Sequence, residues 1–162
     1  MNAALAVAGL EVHLRATGAR LLGPIDLRLD PGHCLGLVGE SGSGKSLTAL
    51  AMMDLLPAGL TAAGELRVGE QSVALGSPSH RALRGRRLAW MPQDALASLH
   101  PMRSLGAQLV ESLMALRGLD RAAANTESLR LLEQLELPAP ATLSRRFPHQ
   151  ISGGQRQRVN LA

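Results

Sequence analysis

Aromatic side chains are nearly missing from this 162-residue sequence, which has one tryptophan, one phenylalanine and no tyrosine. Its basic clusters therefore have no aromatics interleaved among them, which argues against nucleic-acid binding. Cysteine occurs once, as Cys34, so no intramolecular disulfide can form. Because Cys34 lies in an apolar run, a buried structural thiol in a reducing cytoplasm is expected. No apolar run approaches the roughly 18 residues that span a bilayer. The N-terminal stretch MNAALAVAGLE lacks a basic region and soon meets Glu11, which argues against a secretory signal. Lysine is as scarce as cysteine: 16 of the 17 basic residues are arginine, leaving Lys45 alone.

What is present fits a globular chain of one domain or slightly more. Hydrophobic residues make up 46% and charged residues 19%, with a net charge of +4. The charge is uneven. Residues 1–80 hold 5 basic and 7 acidic side chains, whereas residues 81–162 hold 12 and 6. The excess is concentrated at Arg81, Arg84, Arg86 and Arg87 and at the pairs Arg145/Arg146 and Arg156/Arg158. Such clusters fit a solvated or phosphate-facing surface.

Hydrophobic periodicity predicts strands over 5–14 and 25–29, and a strand pair over 64–75. The nearly continuous apolar run Cys34–Val38 predicts a strand buried on both faces of a parallel or mixed sheet, and Arg87–Met91 a short strand stopped by Pro92. A helix is expected from Lys45, ended by Pro57 and Gly59. Leu105, Leu109, Leu113 and Leu116 recur at helical spacing, and a second helix is expected over 121–135.

Between the run 34–38 and the first helix stand Gly39, Glu40, Ser41, Gly42, Ser43, Gly44, Lys45 and Ser46, which read G-x-x-x-x-G-K-[ST]. A strand, this loop and a helix in that order form a phosphate cradle. Its glycines permit backbone conformations that turn successive N–H groups onto phosphate oxygens, and the helix N-terminus adds partial positive charge. Lys45 can reach the β and γ phosphates as a mobile point charge, and the Ser46 hydroxyl is a hard oxygen suited to Mg²⁺. Arginine, larger and planar, does not substitute freely there, which gives the lone lysine a reason.

A second glycine segment, Ile151-Ser152-Gly153-Gly154-Gln155, precedes an expected helix and offers a hydroxyl, two unobstructed amides and a helix N-terminus. Read alone, Ser152 is an ordinary N-cap. Together with the loop at 39–46 and Gln93 between them, the segment resembles the LSGGQ signature of ABC-type ATPases. The resemblance covers essentially the whole chain. The wording Ser-Leu-His-Pro after Gln93 and Phe-Pro-His-Gln before the signature is similar to the oligopeptide, dipeptide and nickel importer branch.

The resemblance implies an α/β fold: a P-loop NTPase core with N-terminal antiparallel strands and an inserted helical subdomain. The core would take residues 1–97, with 153–162 returning to it, and the subdomain 98–152. It implies ATP and Mg²⁺ as cofactors, with Ser46 and Gln93 as metal ligands, and Ser152, Gly153, Gly154 and Gln155 facing ATP bound to a second ABC ATPase domain in a head-to-tail dimer. Further partners would be integral membrane permease subunits and, indirectly, a solute-binding protein, with no nucleic acid. The chain would lie peripherally on the cytoplasmic side of the inner membrane. A structural hydrogen bond is expected for His149.

The sequence departs from the family in two places. An apolar strand ending in Asp-Glu and a switch histidine, which the resemblance places after the signature, are not among residues 1–162. No catalytic residue is therefore assigned, and little or no hydrolysis is expected of these residues alone. The aromatic residue that stacks on adenine is replaced by Leu14. The alternatives are a truncated, non-hydrolysing nucleotide-binding fragment or a soluble, non-transport ABC ATPase.

Overall fold

The computed structural model describes residues 3–92 and 98–162. By its internal contacts the chain divides into two compact units, residues 1–89 and 90–162.

The first unit is built on an antiparallel sheet ordered β2-β1-β3-β4, comprising β1 (Leu5–Leu14), β2 (Arg20–Leu29), β3 (Leu60–Val68) and β4 (Gln71–Ala74). Strand β1 lies centrally, pairing Leu5 with Leu29 on one side and with Val68 on the other. The alternation read from the sequence places Val7, Leu10, Val12, Leu66 and Val68 in a buried cluster with Ala51 of helix α1 (Lys45–Met52). Leu10 and Leu66 are fully buried, and each contributes about 2 kcal/mol by leaving water. Leu47 and Met52 of α1 pack against the same cluster, which fixes the helix that carries the lysine.

Two expected strands do not form. Cys34–Val38 has no regular structure, and Leu35, Leu37 and Val38 are 48%, 41% and 94% exposed. Arg87–Met91 makes only an isolated bridge, Leu88 with Arg84, and leaves Trp90 and Met91 exposed. A strand needs a neighbour's ladder to satisfy its amides and carbonyls, and among the described residues no strand runs beside either segment. Cys34 is correspondingly exposed, not buried. Helix α1 also ends earlier than its sequence suggests, because Asp54 turns into the left-handed region at φ 53°.

The short helix α2 (Pro78–Arg81) follows β4 and is capped by Ser77. The second unit is helical: α3 (Leu105–Arg117), α4 (Arg121–Gln134), the single turn α5 (Pro140–Leu143) and α6 (Gly153–Leu161). The first two start at side-chain caps, Ser104 accepting from Ala107 N–H and Asp120 from Ala123 N–H, and α3 stops at Gly118 in the left-handed conformation. Leu105, Leu109, Leu132, Leu137, Leu143 and Ile151 form its core together with Val159. Val159 thus packs α6 into the core of the helical unit.

Candidate functional site

The loop Gly39–Ser46 wraps around its own lysine. Lys45 Nζ donates to Gly39 O at 2.8 Å, to Glu40 O at 2.6 Å and to Ser43 Oγ at 3.2 Å. A cation on a flexible stem is thereby held at the centre of a ring of backbone groups. Gly44 caps α1 at φ 90° and ψ 0°, in the left-handed region, and a Cβ there would come within 2.4 Å of Leu22 Cδ1. Leu22 of β2 therefore backs the loop, and only glycine lets the backbone lie against it in that conformation. Gly42, at φ 82°, makes the other left-handed turn.

These turns leave some donors unbonded among the described residues. Ser43 N–H is taken by Glu40 O, and Thr48 N–H and Oγ1 both bond Gly44 O. The amides of Gly44, Lys45 and Ser46 have no acceptor among the described residues, nor has the Ser46 hydroxyl a partner. Unbonded amides at a helix N-terminus, beside an ammonium and a hydroxyl, are chemically suited to an anion, and the hydroxyl is a hard oxygen suited to a cation. Ser41 and Glu40 form the exposed rim of the loop. Gln93 lies outside the described residues.

The second segment is also built at a helix N-terminus. Ser152 caps α6 in a reciprocal box, its Oγ accepting from Gln155 N–H at 3.3 Å while Gln155 Oε1 accepts from Ser152 N–H at 3.0 Å. Arg156 steadies the approach by donating to Pro148 O at 2.8 Å. A Cβ at Gly153 or Gly154 would meet nothing within 4 Å. Among the described residues nothing demands glycine at either place, even though glycine weakens a helix. His149 makes a stacked ring contact with Phe147, at 5.8 Å between centroids, and among the described residues this replaces the expected hydrogen bond.

The sequence did not single out His80, which is fully buried and donates from Nε2 to Met52 O at 2.8 Å. The only local hint is its place in the first turn after Ser77-Pro78. Leu14 at the end of β1 is half-exposed. Among the described residues no helix is long and apolar enough to cross a membrane, and no cluster of three or more His, Cys, Asp or Glu could hold a metal ion.

Comparisons with known proteins place the chain among ABC-type ATP-binding proteins. The chain is 38% identical over 163 residues to the uncharacterized ABC transporter ATP-binding protein YejF of Escherichia coli, an overlap covering 98% of this chain and 31% of YejF. It is 37% identical over 171 residues to the glutathione import ATP-binding protein GsiA of Salmonella typhimurium, covering 98% of this chain and 27% of GsiA. It is 36% identical over 165 residues to the oligopeptide transport ATP-binding protein OppD of Haemophilus influenzae, covering 100% of this chain and 51% of OppD. The chain therefore spans about a quarter to a half of the length of these relatives. Two solved structures share the fold. One is the ATP-binding cassette MJ0796 in a dimeric post-hydrolysis state bound to ADP and Pi, with a TM-score of 0.74 at 21% identity over 97% of this chain and 67% of that one. The other is cbiO1 from Clostridium perfringens, part of the transporter complex cbiONQ, with a TM-score of 0.69 at 16% identity over 99% of this chain and 60% of that one. The family profile described as ABC transporter matches residues 22–162, and the chain belongs to that family.

Proposed function

We propose that this chain binds ATP with Mg²⁺ through Gly39–Ser46 and serves as part of the energy-coupling ATPase of an importer for peptide-like solutes. The observation that carries this reading is the loop itself, with Lys45 centred among the carbonyls of Gly39 and Glu40 and the amides of Gly44, Lys45 and Ser46 left free. Triphosphate oxygens would take those amides, and the Lys45 ammonium would turn from the loop carbonyls to the β and γ phosphates.

The residues present fit a magnesium ion. Ser46 offers a free hydroxyl oxygen at the start of α1, and Gln93, by family resemblance, offers an amide oxygen. When bound, the ion would neutralise phosphate charge. The roles of Ser152, Gly153, Gly154 and Gln155 toward ATP on a second domain rest on the open space around the two glycines and on the family pattern. Permease subunits as partners and a peripheral place on the cytoplasmic face are supported by the relatives' names as a glutathione import and an oligopeptide transport ATP-binding protein.

The test is equilibrium binding of ATP with Mg²⁺ to the whole chain and to Lys45→Ala. Removing a charge-assisted contact to phosphate should weaken binding at least about tenfold. Equal affinity in the two proteins, or no binding to either, would overturn the proposal.

A further inference from the structure

The two ends of helix α1 are treated in opposite ways. At its start the amides are open, but at its finish every carbonyl of the last turn is satisfied. Ala49 O accepts from Met53 N–H at 3.2 Å, Leu50 O from Leu55 N–H at 2.9 Å and Ala51 O from Asp54 N–H at 3.2 Å. Met52 O, the last of the four, accepts from His80 Nε2 at 2.8 Å. His80 Nδ1 in turn accepts from Gly76 N–H at 3.0 Å, which leaves the ring proton on Nε2 and fixes the neutral tautomer.

Asp54 completes the arrangement. The 6→1 and 5→2 bonds at Leu55 and Asp54 make a Schellman ending, and its left-handed position, usually glycine, is here an aspartate at φ 53°. Its carboxylate is mostly buried and accepts from Arg81 Nε at 2.9 Å, with Arg84 3.7 Å away, while Arg84 also donates to Asp54 O at 3.3 Å. Cations at a helix C-terminus complement its partial negative charge. Three side chains within five residues of chain, 80–84, thus grip two residues, Met52 and Asp54, at the far end of α1.

We propose that His80, Arg81 and Arg84 are positioning residues for the nucleotide phosphates. They form a clamp on Met52 and Asp54 that fixes the axis of α1, so that the amides of Gly44, Lys45 and Ser46 are held ready at its other end. The inference rests on the proposed nucleotide binding and adds residues that no phosphate touches.

Asp54→Gly isolates the effect, because glycine adopts φ 53° freely, so the carboxylate is removed without backbone strain. ATP with Mg²⁺ is titrated into the whole chain carrying Asp54→Gly, Arg81→Ala or Arg81→Lys, and each thermal midpoint is taken without nucleotide. Asp54→Gly and Arg81→Ala should each weaken ATP binding by about fivefold, the size expected of coupling through a packed element. Arg81→Lys, which keeps a single charged contact, should recover most of that loss. A lowered midpoint with unchanged affinity would mean a merely structural role and overturn the proposal. Wild-type affinity in all three variants would overturn it while the functional reading stands. Failure of the unsubstituted chain to bind ATP in a Lys45-dependent way would overturn both.

Discussion

Helix α1 begins behind a glycine that cannot be replaced without moving Leu22, whereas α6 begins with two glycines whose surroundings are empty. At α1 the reasons for glycine are internal: a left-handed φ of 90° and a side chain packed 2.4 Å from where a Cβ would stand. At α6 the cap box between Ser152 and Gln155 already satisfies the helix start, and neither Gly153 nor Gly154 is in a positive-φ conformation. The first segment is a finished cradle holding its own cation. The second is a capped helix tip whose two glycines meet no neighbour among the described residues and leave the backbone there open to close approach.

The hardest way to break this contrast is to place a side chain at Gly44. Gly44→Val forces a β-branched residue into the left-handed region and against Leu22, a strain of about 1–3 kcal/mol. Thermal unfolding should show that loss, and ATP binding should fall at least about tenfold because the amides after it turn away. A Gly44→Val protein with wild-type stability and affinity would show that the cradle does not depend on its backbone.

At α6 the same kind of change should have the opposite sign. Gly153→Ala meets no neighbour and limits the unfolded chain, so it should stabilise the protein by about 0.4–1 kcal/mol. Ser152→Ala removes the cap oxygen and should cost about 1 kcal/mol. If the tip receives ATP from a second domain, both changes should weaken ATP-dependent self-association, one of them despite its raised stability. Gly153→Ala that stabilises and leaves association intact would remove the outside partner from the explanation.

The motifs were legible because they are local. Eight consecutive residues specify the cradle, and five specify the capped tip, so the sequence carries them without knowledge of the fold. Strand β1, the β3–β4 hairpin and helices α3 and α4 were legible for a similar reason, since their apolar periods and caps lie within each element. The strand expected at Cys34–Val38 was not, because an apolar run states what a segment would bury and not which strand lies beside it. His80 escaped notice because its partner, Met52, is 28 residues away, and nothing near His80 in sequence announces the contact.

The smallest lever separates the regions by acidity. Glu127 on α4 is held below its ordinary 4.5, down to about 2, chiefly by the hydrogen bond from Arg130, with the charge of Arg130 and the contact from Arg117 adding to it. A carboxylate with a depressed value in the folded chain stabilises it fully above the ordinary value, and that contribution drains away as pH falls from about 4.5 toward about 2. The pair is solvent-facing, so the effect should be slight and weaker in high salt. It should nevertheless fall on the helical unit that carries α6, seen as lower protection of the α4 amides against exchange, relative to their intrinsic rates at each pH, while the protection of the β1 amides is unchanged. Glu127→Gln should flatten that dependence. An equal response in β1 and α4, or an unchanged one in the variant, would mean that acid weakens the molecule as a whole and that the two helix starts do not stand on separately titrating supports.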